Sequence, residues 1–197
     1  LEDARIKAVH NPRNRGFGYN YTEGVRLSGK EYVIMVPGDN EIPCAAIRKV
    51  LARLGTADIV VPYTANPEVR PVARQVVSKA FVLLMNALFA LDLRYYNGTC
   101  VHRSELLKKV SMTSRDFAYM AAILVRLIKS GASFTEVGVE IQQREGGSSK
   151  AFSPRNVVSV MKTILTLFWE VRVRERARYS SPARRVADGT AGGRGSG

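Results

Sequence analysis

Short runs of apolar, often β-branched residues alternate along this chain with longer stretches whose apolar positions recur every three or four residues. A short continuous or alternating run marks a strand, and a period near 3.6 marks a helix. On that basis Arg5–Val9, Tyr32–Val36, Asp58–Val61, Gly98–His102 and Ser133–Glu140 are predicted strands. Phe17–Leu27, Pro43–Leu54, Pro71–Leu93, Arg115–Lys129 and Pro154 to about Val171 are predicted helices. Pro71 falls at the first helical position, where its missing N–H costs nothing, and Gly131 closes the helix ending at Lys129. The alternation predicts an α/β domain with a mostly parallel sheet and helices on both faces.

Two of these helices invite a membrane test. Val76–Leu93 is strongly apolar, but Lys79, Asn86 and Asp92 interrupt it, so no apolar run approaches the ~18–20 residues needed to span. A core helix is predicted there. Val157–Val171 gathers Ser159, Lys162, Thr166 and Glu170 on one narrow stripe, and arginines follow directly. That pattern predicts a helix lying on an anionic membrane surface, with packing on the domain as the alternative.

The chain has 197 residues, 46% of them hydrophobic, which suffices for one well-cored domain. Its net charge of +13 calls for an anionic partner: nucleic acid, lipid headgroups or phosphorylated substrates. Part of that charge lies near the end, where Arg172, Arg174, Arg176, Arg178, Arg184 and Arg185 face only Glu175. The closing glycine-rich residues lack apolar anchors, which predicts disorder. Cys44 and Cys100 have no metal-ligand spacing and are expected as buried, reduced thiols. His10 and His102 belong to no ligand cluster and are expected to be structural. No zinc-ligand pattern or glycine–aromatic RNA-binding signature supports nucleic-acid binding, which stays a minor alternative carried by the arginine tail.

The most informative stretch is YVIMVPGDNEIP, Tyr32–Pro43. A buried-type strand stops at Pro37-Gly38, and Asp39 and Glu41 follow. In open α/β sheets ligands bind just beyond the carboxyl ends of strands. Two carboxylates there can hold a divalent cation against a diphosphate; a solvated acidic turn is the plainer alternative.

Three further stretches accompany it in order. NPRNRGFGYNYTEGVRLSG precedes it with Asn14, Gly16 and Gly18; YNGTCVHR (Tyr96–Arg103) and REGGSSK (Arg144–Lys150) follow. Together they resemble the family 2 glycosyltransferases, in the branch of dolichyl-phosphate mannose synthase and related polyprenyl-phosphate glycosyltransferases. The resemblance covers roughly Ile6 to Trp169. It implies a GT-A-like α/β fold that lacks its first βαβ portion, the nucleotide-binding half, as in an N-terminally truncated fragment inactive by itself. It also implies metal-dependent, inverting transfer from a nucleoside-diphosphate sugar to a polyprenyl phosphate, at the cytoplasmic face of a membrane.

Residue by residue, the family's D-A-D-x-Q motif sets Asp39 at its second Asp and Glu41 at its Gln, the two positions that hold Mg2+ or Mn2+. Asp39 is also the expected catalytic residue. Pro37 replaces the first Asp. Arg74 and Ser78, four residues apart on one helix face, match the family's acceptor-phosphate site, and Arg70 adds a contact from just outside the helix. Arg144, Ser149 and Lys150 match its flexible loop over the donor diphosphate. Pro62-Tyr63-Thr64 stands where the family has a G-S-R-type turn, so one acceptor contact is missing. A saccharide acceptor is the alternative within the family; it calls for an acidic base near Ser114–Met120, where only Asp116 is available. The expected organisation is a partial catalytic domain over 1–153, an interfacial helix over 154–173 and a basic disordered tail over 174–197.

Overall fold

The computed structural model describes residues 3–110, 112, 118–142 and 153–187. Strands β1 (Tyr32–Ile34), β2 (Ile59–Thr64), β3 (Val101–Arg103), β4 (Ser133–Val139) and β5 (Arg184–Arg185) form one sheet in the order β1-β3-β2-β4-β5. β3 runs antiparallel to both its neighbours, while β2–β4 and β4–β5 pair in parallel. Four strands therefore point one way, and the mostly parallel α/β sheet stands with β3 as its reversed member.

Alternation along β2 builds two cores. Ile59 and Val61 face a large cluster with helix α1 (Phe17–Leu27), the short α4 (Ser104–Leu107), α5 (Tyr119–Lys129) and the inner side of α6 (Pro154–Trp169). Val60 faces the opposite way, onto Ala46 and Val50 of α2 (Cys44–Leu51). Helices thus cover both faces. Pro62 is tolerated inside β2 because β3 pairs only as far as Val60↔Val101, leaving no partner that needs its missing N–H.

Several expectations are corrected. Arg5–Val9 forms no strand: it lies exposed, and β1 is bonded on one side only among the described residues. Cys44 is exposed at the start of α2, whereas Cys100 is buried. The core helix is α5, every residue of which is buried. In α3 (Val72–Phe89) only Met85 and Phe89 are buried, so it is a surface helix. The arginine-rich tail is not wholly disordered. After a π-helical turn at Glu170–Arg174 the chain continues to β5, where Arg185 bonds the Asp92 carbonyl and pairs with Glu136 at 3.0 Å. Residues 188–197 lie outside the described ones.

His102 is structural, as expected, and fully buried in β3 with Nδ1 3.0 Å from the Tyr21 hydroxyl. Burial lowers its pKa from 6.5 to about 3. The unfolded chain therefore binds a proton that the folded chain refuses, and stability is lost as pH falls from 6.5 towards 3. The slope is about 1.4 kcal/mol per pH unit. Urea midpoints measured between neutral and mildly acidic pH should fall less steeply for His102→Gln than for the native chain; parallel slopes would refute this.

Candidate active site

The loop leaving β1 carries both predicted metal-site carboxylates. Asn40 adopts a left-handed conformation, φ 55°, which asparagine tolerates better than most residues. The turn is pinned at two points: Asp39 Oδ1 accepts the Glu41 N–H at 3.3 Å, and the Glu41 carbonyl accepts the Gln142 N–H at 2.9 Å. Glu41 is thereby aimed at the start of α3.

There it meets the predicted acceptor residues. Glu41 Oε1 accepts from Arg70 at 2.7 Å and from Arg74 at 3.4 Å. Arg70 also donates to the Tyr95 hydroxyl at 3.0 Å. Its carbonyl accepts from Gln75 at 2.8 Å, fixing the backbone just before Pro71 opens α3. Burial acts to lower the Arg70 pKa, but Tyr95 and Glu41 outweigh it and hold the pKa above its ordinary value. The guanidinium stays charged, and its Nε is buried without a hydrogen-bond partner.

These groups open onto one cavity of about 560 Å³, with Asp39, Glu41, Arg70, Arg74 and Ser78 among its polar lining. The remaining wall is mainly apolar, from Phe81 and Leu84 of α3 to Val160 and Ile164 of α6. Asn97 and Gly98 line it from the β3 side, where a Cβ on Gly98 would sit 2.5 Å from the Pro62 carbonyl oxygen. Only glycine permits that approach. Pro62-Tyr63-Thr64 is the end of strand β2 rather than a turn, and Tyr63 lies beneath Arg94 with 4.6 Å between guanidinium and ring centre.

The structure thus brings Asp39, Glu41, Arg70, Arg74 and Ser78 together, while Arg144, Ser149, Lys150 and Asp116 fall outside the described residues. Sequence reasoning missed Tyr95, which carries no local signal. It also kept the metal and acceptor groups separate, although Glu41 joins them. Among the described residues no three acidic, histidine or cysteine side chains converge. Two carboxylates still fit Mg2+ or Mn2+, which commonly take one or two protein oxygens and complete their shell with phosphate and water.

A parallel α/β sheet with one reversed strand, and carboxylates beyond the β1 terminus, define a GT-A glycosyltransferase fold. Residues 1–110 match the family model Glycosyl transferase family 2, and the chain belongs to that family. Among solved structures it resembles glucosyl-3-phosphoglycerate synthase from Mycobacterium tuberculosis in complex with Mg2+ and uridine diphosphate. The TM-score is 0.61 at 12% identity, over 80% of this chain and 56% of that one. The complex of that enzyme with Mn2+, UDP-glucose and phosphoglyceric acid gives 0.61 at 11% identity, with 80% and 56% covered. A mycobacterial protein gives 0.59 at 17% identity, with 80% and 53% covered. At such identities the likeness is one of fold, and the chain spans a little over half the length of these structures. No curated protein sequence matches it.

Proposed function

We propose that the enzyme containing this chain transfers a sugar from a nucleoside-diphosphate sugar to a phosphate-bearing acceptor, with inversion at the anomeric carbon. The acceptor we assign is a polyprenyl phosphate. One observation carries this reading: Arg70, Arg74 and Ser78 line a cavity whose wall is otherwise mainly apolar. A charged head and a hydrocarbon body fit such a shape. The structural neighbours support the phosphate, since one of them is described with phosphoglyceric acid, but not the lipid.

A phosphate monoester is anionic at neutral pH, so its oxygen can attack the anomeric carbon without a strong general base. The new C–O bond forms as the bond to the diphosphate breaks, and the nucleoside diphosphate leaves with the electron pair. Asp39 and Glu41 would hold Mg2+ or Mn2+, which supplies positive charge beside the leaving diphosphate. Arg70 and Arg74 orient the acceptor phosphate, and Glu41 keeps both guanidiniums in place. Arg144, Ser149 and Lys150 remain assigned, by resemblance, to the donor diphosphate. With a lipid acceptor the enzyme works peripherally at a membrane, and its cationic character favours the anionic cytoplasmic leaflet.

Arg74→Ala should raise the KM for the lipid phosphate about tenfold or more and leave that for the nucleotide sugar nearly unchanged, as expected for losing one charge-assisted contact. Steady-state kinetics with each substrate varied in turn tests this, with 3-phosphoglycerate as a competing acceptor. Equal losses for both substrates, or better use of phosphoglycerate than of the lipid, would overturn the reading.

A further inference from the structure

Helix α3 is apolar on both sides: Met85 and Phe89 are buried, Phe81, Val82 and Leu88 pack against the core, and the outward row is apolar as well. Arg74, Gln75 and Asn86 point into the protein, and each is engaged there. Arg74 meets Glu41, Gln75 bonds the Arg70 carbonyl, and Asn86 bonds both the carbonyl and the N–H of Leu93 as well as the Tyr96 hydroxyl. The outward face is left apolar. Helical spacing sets Val72, Val76 and Leu83 in one row, exposed by 74%, 59% and 69%, with Val77 and Leu84 beside them. An ordinary surface helix keeps its apolar stripe inside and its polar side in water.

A second apolar face stands alongside. Val158, Leu165 and Trp169 of α6 are exposed by 68%, 65% and 60%. The carboxyl ends of the two helices are tied together, since Arg172 donates to the Leu88 carbonyl at 2.9 Å and Phe89 meets Phe168 edge-on with 6.4 Å between ring centres. Neither helix carries an acidic residue; their charged residues are Arg74, Lys79, Arg155 and Lys162.

We propose that the outer faces of α3 and α6 form a two-helix platform that seats on an anionic lipid bilayer, flanking the mouth of the cavity. Cationic side chains beside exposed apolar rows, with no carboxylate on either helix, complement a negatively charged, hydrocarbon-backed surface. α3 is long and apolar enough to cross a membrane by length and composition. It lies on the membrane rather than across it, because spanning would tear Arg74 and Asn86 from their partners and Met85 and Phe89 from the core. The platform deepens the lipid-acceptor reading by giving α3 a role there, but its test needs neither donor nor acceptor.

Trp169 is the single tryptophan of the chain, so its fluorescence reports one place on α6. The whole chain should float with vesicles of phosphatidylcholine mixed with phosphatidylglycerol, less so with phosphatidylcholine alone, and brominated lipid should quench Trp169. A reporter moved to the other helix, Leu83→Trp with Trp169→Phe, should be quenched as well. Val76→Glu with Leu83→Glu should lower vesicle affinity at least about tenfold while leaving thermal melting unchanged. Quenching at position 169 but not at 83, or undiminished binding by the double variant, would overturn the platform. So would a concentration-dependent dimer that the double variant dissolves, which would make the face an interface between copies. Absence of vesicle binding by the native chain, with the Arg74→Ala acceptor effect present, would remove the platform alone; vesicle binding as expected without that acceptor effect would remove the acceptor reading alone.

Discussion

Asp39→Ala is expected to lower sugar transfer by the intact enzyme by about a hundredfold to a thousandfold, roughly 3–4 kcal/mol of transition-state stabilisation. The carboxylate lies beyond the carboxyl end of β1, in a turn held by its own bond to the Glu41 N–H. Negative charge would grow on the diphosphate as the glycosidic bond breaks, and a cation held at this turn would offset it. Asp39→Asn separates the roles: it keeps an acceptor for the Glu41 N–H and so preserves the turn, but halves the pair of carboxylates. Both variants should show weakened Mn2+ binding by titration calorimetry in the presence of nucleoside diphosphate. Full activity of Asp39→Ala, or native Mn2+ binding by both variants, would remove Asp39 from the metal site.

The largest effect on stability should come from the pair joining α5 to the end of α6. Arg126 donates to both Glu170 oxygens, at 2.9 and 2.7 Å, and the Tyr179 hydroxyl donates to one of them at 3.2 Å. The Arg126 and Glu170 side chains are only 5% and 11% exposed. Arg126→Ala leaves a carboxylate without its counter-charge in that environment, at a cost of about 3–5 kcal/mol. Arg126→Met combined with Glu170→Leu removes both charges and should recover most of the loss. Chemical denaturation of the two single variants and the double variant, as a thermodynamic cycle, gives the coupling; additive losses would mean that the pair is not one unit. The hydrogen bonds from Arg126 hold the Glu170 carboxyl below its ordinary value of 4.5, against burial, which acts to raise it. Its contribution is therefore present above pH 4.5 and fades as pH falls below it.

The difference between these two predictions explains what could be read in advance. Asp39, Glu41 and the Arg74/Ser78 spacing are local patterns: a strand end, a turn and a helix start. Each announces its geometry within a few residues. The Arg126–Glu170 pair spans 44 residues and the Arg70–Tyr95 contact 25, and nothing local marks either one. Helix α3 was misjudged for another reason. Periodicity marks the apolar positions of a helix, but not how many of them meet the core; here α3 is apolar almost all round, and only Met85 and Phe89 are buried while Arg74 and Asn86 find partners on the protein side. Composition misled at the tail, because β5 is held by backbone pairing and by Glu136, needing no apolar run of its own.

Strand β5 also sets a sequence of events during synthesis. Its two residues clip onto Ser133 and Phe134, about fifty positions earlier in the chain. Until they leave the ribosome, the outer edge of β4 offers unpaired backbone groups, and Glu136 lacks its partner Arg185. The nascent domain passes through an interval in which the start of this edge, Ser133 and Phe134, is open, and it ends only when the arginine-rich segment emerges. A cut after residue 173, at the boundary suggested by composition, would make that interval permanent.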